Sequence, residues 1–439
     1  MRAIAENQEL GRYKNWFFFT LLYVVIDYGR PQDIVPIGFL RPGMIAILIL
    51  TGFLLMSCRI KETDSKQTRM MWLFIILLGA YVPFARNNYF AYQATLDMLL
   101  FMPFILSVVV CVDSMERLKK LIFVLILLML YISGYSFLHR GVGSGNYFQD
   151  ENDVSLYINI WLPFCLFLFF AEKNKFRRIV YGLSLVIGIL AVIMSFSRGG
   201  FVGLVSCTFV SWLFNPQKIK SLIILCLLGA VFYVYSENLH SDPTRKGGRS
   251  YWEEMATTTD ANDPTATGRM ESWKAGWRMF LEHPFGVGGN NFPVWFQDYQ
   301  SDYFKQGMWG RVAHSLWFTL IPELGIFGIA IYLLLLYFNL SDLFFINKLN
   351  PSDHPDYLYL TMLSRAFVGS FAGFFASGTF LSVLYYPHYW YLTGILVAAK
   401  KISEKLQPIR SPDKIEEDHV HSGNGKHLRV NVVAKSNVH

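Results

Sequence analysis

Apolar runs of roughly 15 to 20 residues, separated by short polar stretches, recur from Trp16 to Ala399. Wound as helices, runs of that length match the hydrocarbon core of a bilayer, about 30 Å thick. Candidate spans fall near 13–28, 43–58, 70–85, 96–112, 118–138, 154–171, 179–196, 200–214, 219–236, 315–340, 358–377 and 380–399. The pattern predicts an all-α polytopic membrane protein with about 12 transmembrane helices. The first and eighth runs are short, which is tolerated where a helix lines a protein cavity. One polar segment, 237–314, breaks the rhythm. The expected organisation is nine spans in 1–236, a loop in 237–314, three spans in 315–399 and a polar tail in 400–439. The tail carries Pro408, Pro412 and Glu416-Glu417-Asp418 and reads as disordered.

Composition narrows the class. Of 439 residues, 53% are hydrophobic and only 16% charged, against about 25% charged in soluble domains. A soluble enzyme, a disordered chain and a single-span receptor are excluded. The five cysteines, Cys58, Cys111, Cys165, Cys207 and Cys226, lie in or at the ends of apolar runs. They form no CxxC pair or Cys/His cluster, so no disulfide framework or zinc site is indicated. The first run ends at Asp27-Tyr28-Gly29-Arg30 without a small-residue cleavage site, so this helix is expected to stay.

Lys and Arg placement gives orientation. With a cytoplasmic N-terminus, seventeen Lys and Arg residues fall in inside segments. Only Arg30, Arg41, Arg86, Arg140 and Arg198 fall in short outside loops. Both termini are therefore expected inside, and the loop 237–314 outside. The net charge of +7 reflects this bias and the basic tail rather than nucleic-acid binding.

Within the loop, residues up to about 263 read as irregular. From Arg269 to Leu281, Met270, Trp273, Trp277, Phe280 and Leu281 recur at helical spacing, with Glu271, Lys274, Arg278 and Glu282 opposite. This predicts an amphipathic helix suited to the headgroup layer, or a simple cap over the bundle. Pro284 should stop it, and Gly286, Gly288 and Gly289 should turn the chain. His314 closes the loop, beside Ser315, with Glu323 deeper in the next helix. Arg198, in Ser195-Phe196-Ser197-Arg198-Gly199-Gly200, and Arg269 are expected at the same outer surface. An arginine there either snorkels to lipid phosphate or clamps a pyrophosphate, for which its planar fork is well shaped.

The run Gly268-Arg269 through Trp273-Lys274-Ala275-Gly276-Trp277 to His283-Pro284-Phe285-Gly286-Val287-Gly288 and Phe292 resembles the outer loop of the bacterial O-antigen ligase family of lipid-linked glycan ligases. So do His314-Ser315-x9-Gly325-x2-Gly328 and the Ser-Phe-Ser-Arg-Gly-Gly element. Ser315 stands where Asn is common. The resemblance implies transfer of a glycan from an undecaprenyl-pyrophosphate-linked donor to lipid A–core at the periplasmic face of a bacterial inner membrane. Polymerisation of O-antigen repeats and glycosylation of proteins share these motifs.

The chemistry expected is attack of an acceptor hydroxyl on the anomeric carbon with inversion. His314 takes the proton, and Arg198 and Arg269 stabilise the leaving pyrophosphate without a metal or other cofactor. An ordinary imidazole near 6.5 suits a base at neutral pH. Arg30 and Arg140 are further candidates for donor contact, and Glu323, Ser315 and Trp273 complete the candidate substrate-binding set. The acidic run Asp150-Glu151-Asn152-Asp153 is either a helix start or an alternative base. A transporter of similar span number is the rival class, but the halves show no self-similarity.

Overall fold

The computed structural model describes residues 2–407 except 36, 58, 140, 146, 241–247, 257–263 and 305–308. Cys58, Arg140 and the tail from 408 lie outside the described residues. Residues up to Ser403 form one compact unit, and the described start of a second is Glu404–Gln407.

The chain runs through α1 (Arg2–Gly29), a short α2 (Pro31–Ile34), α3 (Pro42–Met56), α4 (Lys66–Tyr81), α5 (Asn88–Cys111), α6 (Met115–Leu138) and α7 (Glu151–Ala171). It continues through α8 (Lys175–Met194), α9 (Arg198–Leu213) and α10 (Lys218–Ser236). The loop holds α11 (Tyr251–Ala256), α12 (Pro264–Glu282) and α13 (Phe292–Tyr299), followed by α14 (Leu316–Asn347), α15 (Tyr357–Gly378) and α16 (Pro387–Lys405). Among the described residues there is no β-strand; one isolated bridge pairs His240 with Ser250. By length and composition eight helices are apolar enough to cross a membrane, and α9 is a shorter apolar helix. The protein is a polytopic α-helical membrane protein.

Helix starts follow the sequence closely. Ser65, Asn87, Ser114, Asp150, Asn174, Ser197 and Ser315 each cap the following helix, the side chain accepting a backbone N–H. Such caps satisfy amides that have no partner within the helix. Asp150 is thus a helix cap, binding the amides of Asn152 and Asp153 at 2.7 and 3.0 Å.

The middle of the bundle is α16, buried on nearly every side from Pro387 to Ala399. Its Tyr391 meets Phe104 of α5 and Tyr23 of α1, its Trp390 meets Phe74 of α4, and its Tyr389 meets Tyr332 of α14 and Phe374 of α15. By contrast α8 exposes Phe176, Ile179, Leu183, Val186 and Leu190 along one stripe. That stripe is the lipid-facing counterpart of the buried core.

A second packing layer fixes the position of Arg198. Small residues Gly199, Gly203, Cys207 and Ser211 form one face of α9, and Gly369, Gly373 and Ser377 one face of α15. A Cβ at Gly203 would stand 1.9 Å from Ser377 Oγ and 2.5 Å from Asn159 Nδ2. Small residues let helix backbones approach closely, and dispersion then holds helices that gain little from burial in lipid. Asn159 of α7 ties the layer by donating to the Gly200 carbonyl at 2.8 Å and to Ser377 Oγ at 3.2 Å.

Three local expectations change. The last run does not begin at 380: residues 379–386 form a connecting loop and the helix starts at Pro387, a residue suited to a first turn because it has no N–H to lose. The segment before 263 is not wholly irregular, since α11 forms and buries Tyr251 and Met255 against Phe196 and Ile193. Helix α12 begins at Pro264, before Arg269, and its buried face is Gly268, Ser272, Ala275, Gly276 and Met279. Met270, Trp277 and Leu281 stay exposed on one stripe, while Trp273 turns inward.

Candidate active site

The site is assembled by a break in α14. Pro322 removes one helical hydrogen bond and Gly325 adopts φ 58, ψ −155 inside the helix. The carbonyls freed there are taken by the loop after α12. Val287 N donates to Pro322 O at 3.0 Å and Gly288 N to Glu323 O at 2.8 Å, while Ile326 N donates back to Pro284 O at 2.9 Å. A Cβ on Gly325 would lie 2.3 Å from the Phe285 carbonyl carbon, so only glycine permits this docking. The Gly325 of the His-centred motif therefore seats the Pro284–Gly288 turn.

Glu323 completes the seat. It is buried, and its carboxylate accepts from Asn290 N at 2.9 Å, Phe292 N at 3.0 Å and Tyr385 Oη at 2.7 Å. Its oxygens face the loop backbone and the 379–386 connection, which makes it a brace for the site.

His314 stands between two fixed neighbours. The Trp273 indole donates from Nε1 to the Ala313 carbonyl at 3.0 Å and stacks on Phe318 at 5.4 Å. Ser315 is buried, and its hydroxyl caps α14 by accepting from Phe318 N at 3.4 Å. Held this way, His314 adopts a left-handed backbone, φ 49, which costs about 1–3 kcal/mol and persists only where the surroundings impose it. Its half-buried imidazole is lowered to about 4 by burial and by the charges of Arg269 and Arg311, with Asp150 opposing. Desolvation and nearby cations both disfavour the imidazolium.

Among the described residues the charges acting on His314 are thus Arg269, Arg311 and Asp150. Arg198 is not one of them. It lies in the first turn of α9, its Nε 3.8 Å from Glu254 Oε1 of α11. The same carboxylate faces Arg249 at 3.4 Å. A chain of contacts still links Arg198 to His314: Gly199 packs on Phe380, Phe380 on Trp273, and Trp273 on Ala313. Arg30 also has a left-handed backbone, pairs with Asp33 at 3.1 Å, and packs its side chain on Gly145.

Residues that sequence reasoning missed are Arg311, Glu254 and, as a neighbour of His314, Asp150. Arg311 sits in no motif, and Glu254 belongs to a helix too short to show a period. Among the described residues, no group of three or more His, Cys, Asp or Glu side chains is arranged to hold a metal ion.

The frame just described, from the small-residue face of α9 to the broken α14, lies within residues 183–333, and these match the family model described as O-antigen ligase. This stretch of the chain is thus similar to the O-antigen ligase family. The O-antigen ligase match covers about a third of the chain and contains Arg198, Arg269, Trp273, Arg311, His314, Ser315 and Glu323; Arg30 and Arg140 fall outside it. No curated protein matches the chain significantly. O-antigen ligase family members are glycosyltransferase-like enzymes acting on lipid-linked glycans, and the likeness supports an O-antigen ligase- or polymerase-like function in general terms.

Proposed function

We propose that the protein is an inverting glycosyltransferase that moves a glycan from undecaprenyl pyrophosphate to the lipid A–core oligosaccharide. The reaction takes place at the periplasmic face of a bacterial inner membrane, with both termini cytoplasmic. The bias of Lys and Arg towards one set of inter-span segments supports that orientation.

In this reading an acceptor hydroxyl attacks the anomeric carbon of the donor. The new C–O bond forms as the bond to the diphosphate oxygen breaks, and that oxygen leaves with the electron pair. His314 receives the hydroxyl proton. Arg269 faces the negative charge that grows on the diphosphate. Arg198, tied to Glu254, holds the entrance of α9 in place. Trp273, Ser315 and Glu323 position the reacting groups, and no metal takes part.

The observation that supports this reading is that Trp273, four residues after Arg269 on α12, binds the Ala313 carbonyl next to His314, both within the stretch that matches the family. The test is complementation of a ligase-null strain, with His314→Ala in parallel. The expected result is polymer on lipid A–core with the wild type and none with the variant. Rescue of a polymerase-null strain instead would reassign the acceptor to a growing glycan.

A further inference from the structure

Arg311 precedes His314 by three residues and no step above uses it. Its guanidinium is held from two directions. The Nε donates to Ser272 Oγ at 2.7 Å, and Cζ lies 4.7 Å from the centroid of the Phe304 ring. Ser272 is fully buried and passes its own proton to the Gly268 carbonyl at 2.9 Å, so its oxygen is set to accept from Arg311. A Cβ on Gly268 would stand 2.7 Å from Arg311 Nη2. Glycine at 268 is thus what admits the guanidinium, one residue before Arg269.

Two groups on this arginine remain unused. Among the described residues no carboxylate pairs with Arg311, and neither Nη group donates to protein. Burial lowers its pKa from the ordinary guanidinium value, the mark of a partly desolvated cation without a counter-ion. A structural arginine would be expected to spend its Nη donors on carbonyls or a carboxylate. This one is anchored through Nε and stacked on a ring, with its outer fork open. That fork geometry matches two oxygens of a phosphate. Among the described residues, Arg269 and Arg311 both bear on His314 and Asp150 opposes them. Two guanidinium groups that bear on the same imidazole suit a ligand carrying two negative charges.

We propose that Arg311 is a phosphate-binding residue that takes oxygens of the donor's diphosphate together with Arg269. The inference rests on the reading of this site as a diphosphate-linked glycan transferase. As the anomeric C–O bond breaks, the electron pair settles on a diphosphate oxygen that these two arginines face, while His314 keeps the acceptor's proton. The bound diphosphate also offsets the two cations beside His314, so the imidazole becomes a stronger base once the donor is in place.

The experiment uses the full chain in detergent, with inorganic pyrophosphate as the probe and calorimetry as the readout. Arg311→Gln is expected to weaken binding by about tenfold or more, the range for a charge-assisted hydrogen bond, and Arg269→Gln likewise. In untouched wild-type protein, pyrophosphate should also protect Arg311 from phenylglyoxal, as mapped by mass spectrometry, which keeps the test independent of whether a variant folds. If pyrophosphate protects Arg269 but not Arg311, or if folded Arg311→Gln binds as wild type does, Arg311 is only a brace for α12 and the proposal is overturned. If wild-type protein binds no pyrophosphate and neither arginine is protected, the diphosphate reading of the whole site fails with it.

Discussion

The Trp273 indole N–H donates to the Ala313 carbonyl at 3.0 Å, joining α12 to the peptide unit that precedes His314. The same ring stacks on Phe318 of α14 and lies 6.3 Å from Phe380 in the loop before α16. Three separate parts of the chain therefore set the backbone from which the imidazole projects. Trp273 need not touch substrate to matter. It fixes the origin of a side chain whose reach must be right to within about 0.5 Å.

Trp273→Phe keeps a ring against Phe318 and removes only the hydrogen bond. It should cost about 1 kcal/mol of stability and reduce kcat by roughly tenfold, because small misplacements of a catalytic group are expensive. KM for the donor should stay near wild type. A drop in donor affinity with kcat unchanged would show instead that the indole contacts the sugar or the lipid.

The state of His314 predicts the pH profile. A base must be neutral to accept a proton, and burial, Arg269 and Arg311 together lower this imidazole to about 4. The acid limb of kcat/KM, which reports the free enzyme, should therefore lie near pH 4 rather than near the ordinary value of about 6.5. Removing one cation eases protonation, so Arg269→Gln should move that limb to higher pH. A wild-type limb near 6.5 that Arg269→Gln leaves in place would assign the base to another group.

Much of this site was legible before the fold was known, because it is written in residues with few alternatives. His314, Arg269 and the Pro284-Phe285-Gly286 turn stand out in a chain that is otherwise apolar. What escaped was the use of small residues. The tryptophan side of α12 pointed to the headgroup layer or a cap over the bundle, and nothing in the pattern marked Gly268, Ser272, Ala275, Gly276 and Met279 as the buried side. Small side chains let α12 approach its neighbours, and Gly268 leaves room for Arg311. The loop at 379–386 looked like membrane span because Phe380, Leu381, Val383 and Leu384 are apolar; Phe380 instead packs on Trp273, and Leu381, Val383 and Leu384 are buried. Hydropathy reports that a side chain avoids water, and buried loops do so as well as helices.

Glu323 offers a sharp test of bracing against substrate contact. Its carboxylate serves two backbone amides and the Tyr385 hydroxyl. Glu323→Ala leaves three donors without their acceptor, the buried Phe292 amide at a cost of about 1–3 kcal/mol and the part-buried Asn290 amide and Tyr385 hydroxyl at less, so the melting temperature in detergent should fall by several degrees. Tyr385→Phe removes one partner and should cost only about 1 kcal/mol. A Glu323→Ala protein that melts as wild type does but no longer binds donor would make the carboxylate a substrate contact.

The last prediction concerns what stabilises the leaving group. Negative charge on a departing diphosphate can be met by a divalent cation held by carboxylates or by fixed guanidinium groups. Among the described residues, three carboxylates near this site already have partners: Glu323 the loop amides, Glu254 Arg198 and Arg249, and Asp150 the start of α7. The charges of Arg269 and Arg311, by contrast, both bear on His314. Transfer by purified protein should therefore survive EDTA with a rate within about twofold of the untreated enzyme, a change of about 0.4 kcal/mol in the barrier. It should also fall steeply in Arg269→Gln whether or not Mg²⁺ is present. Loss of transfer in EDTA that Mg²⁺ restores would require a metal-binding role for one of these carboxylates, and Glu254→Gln would then be the variant to show it.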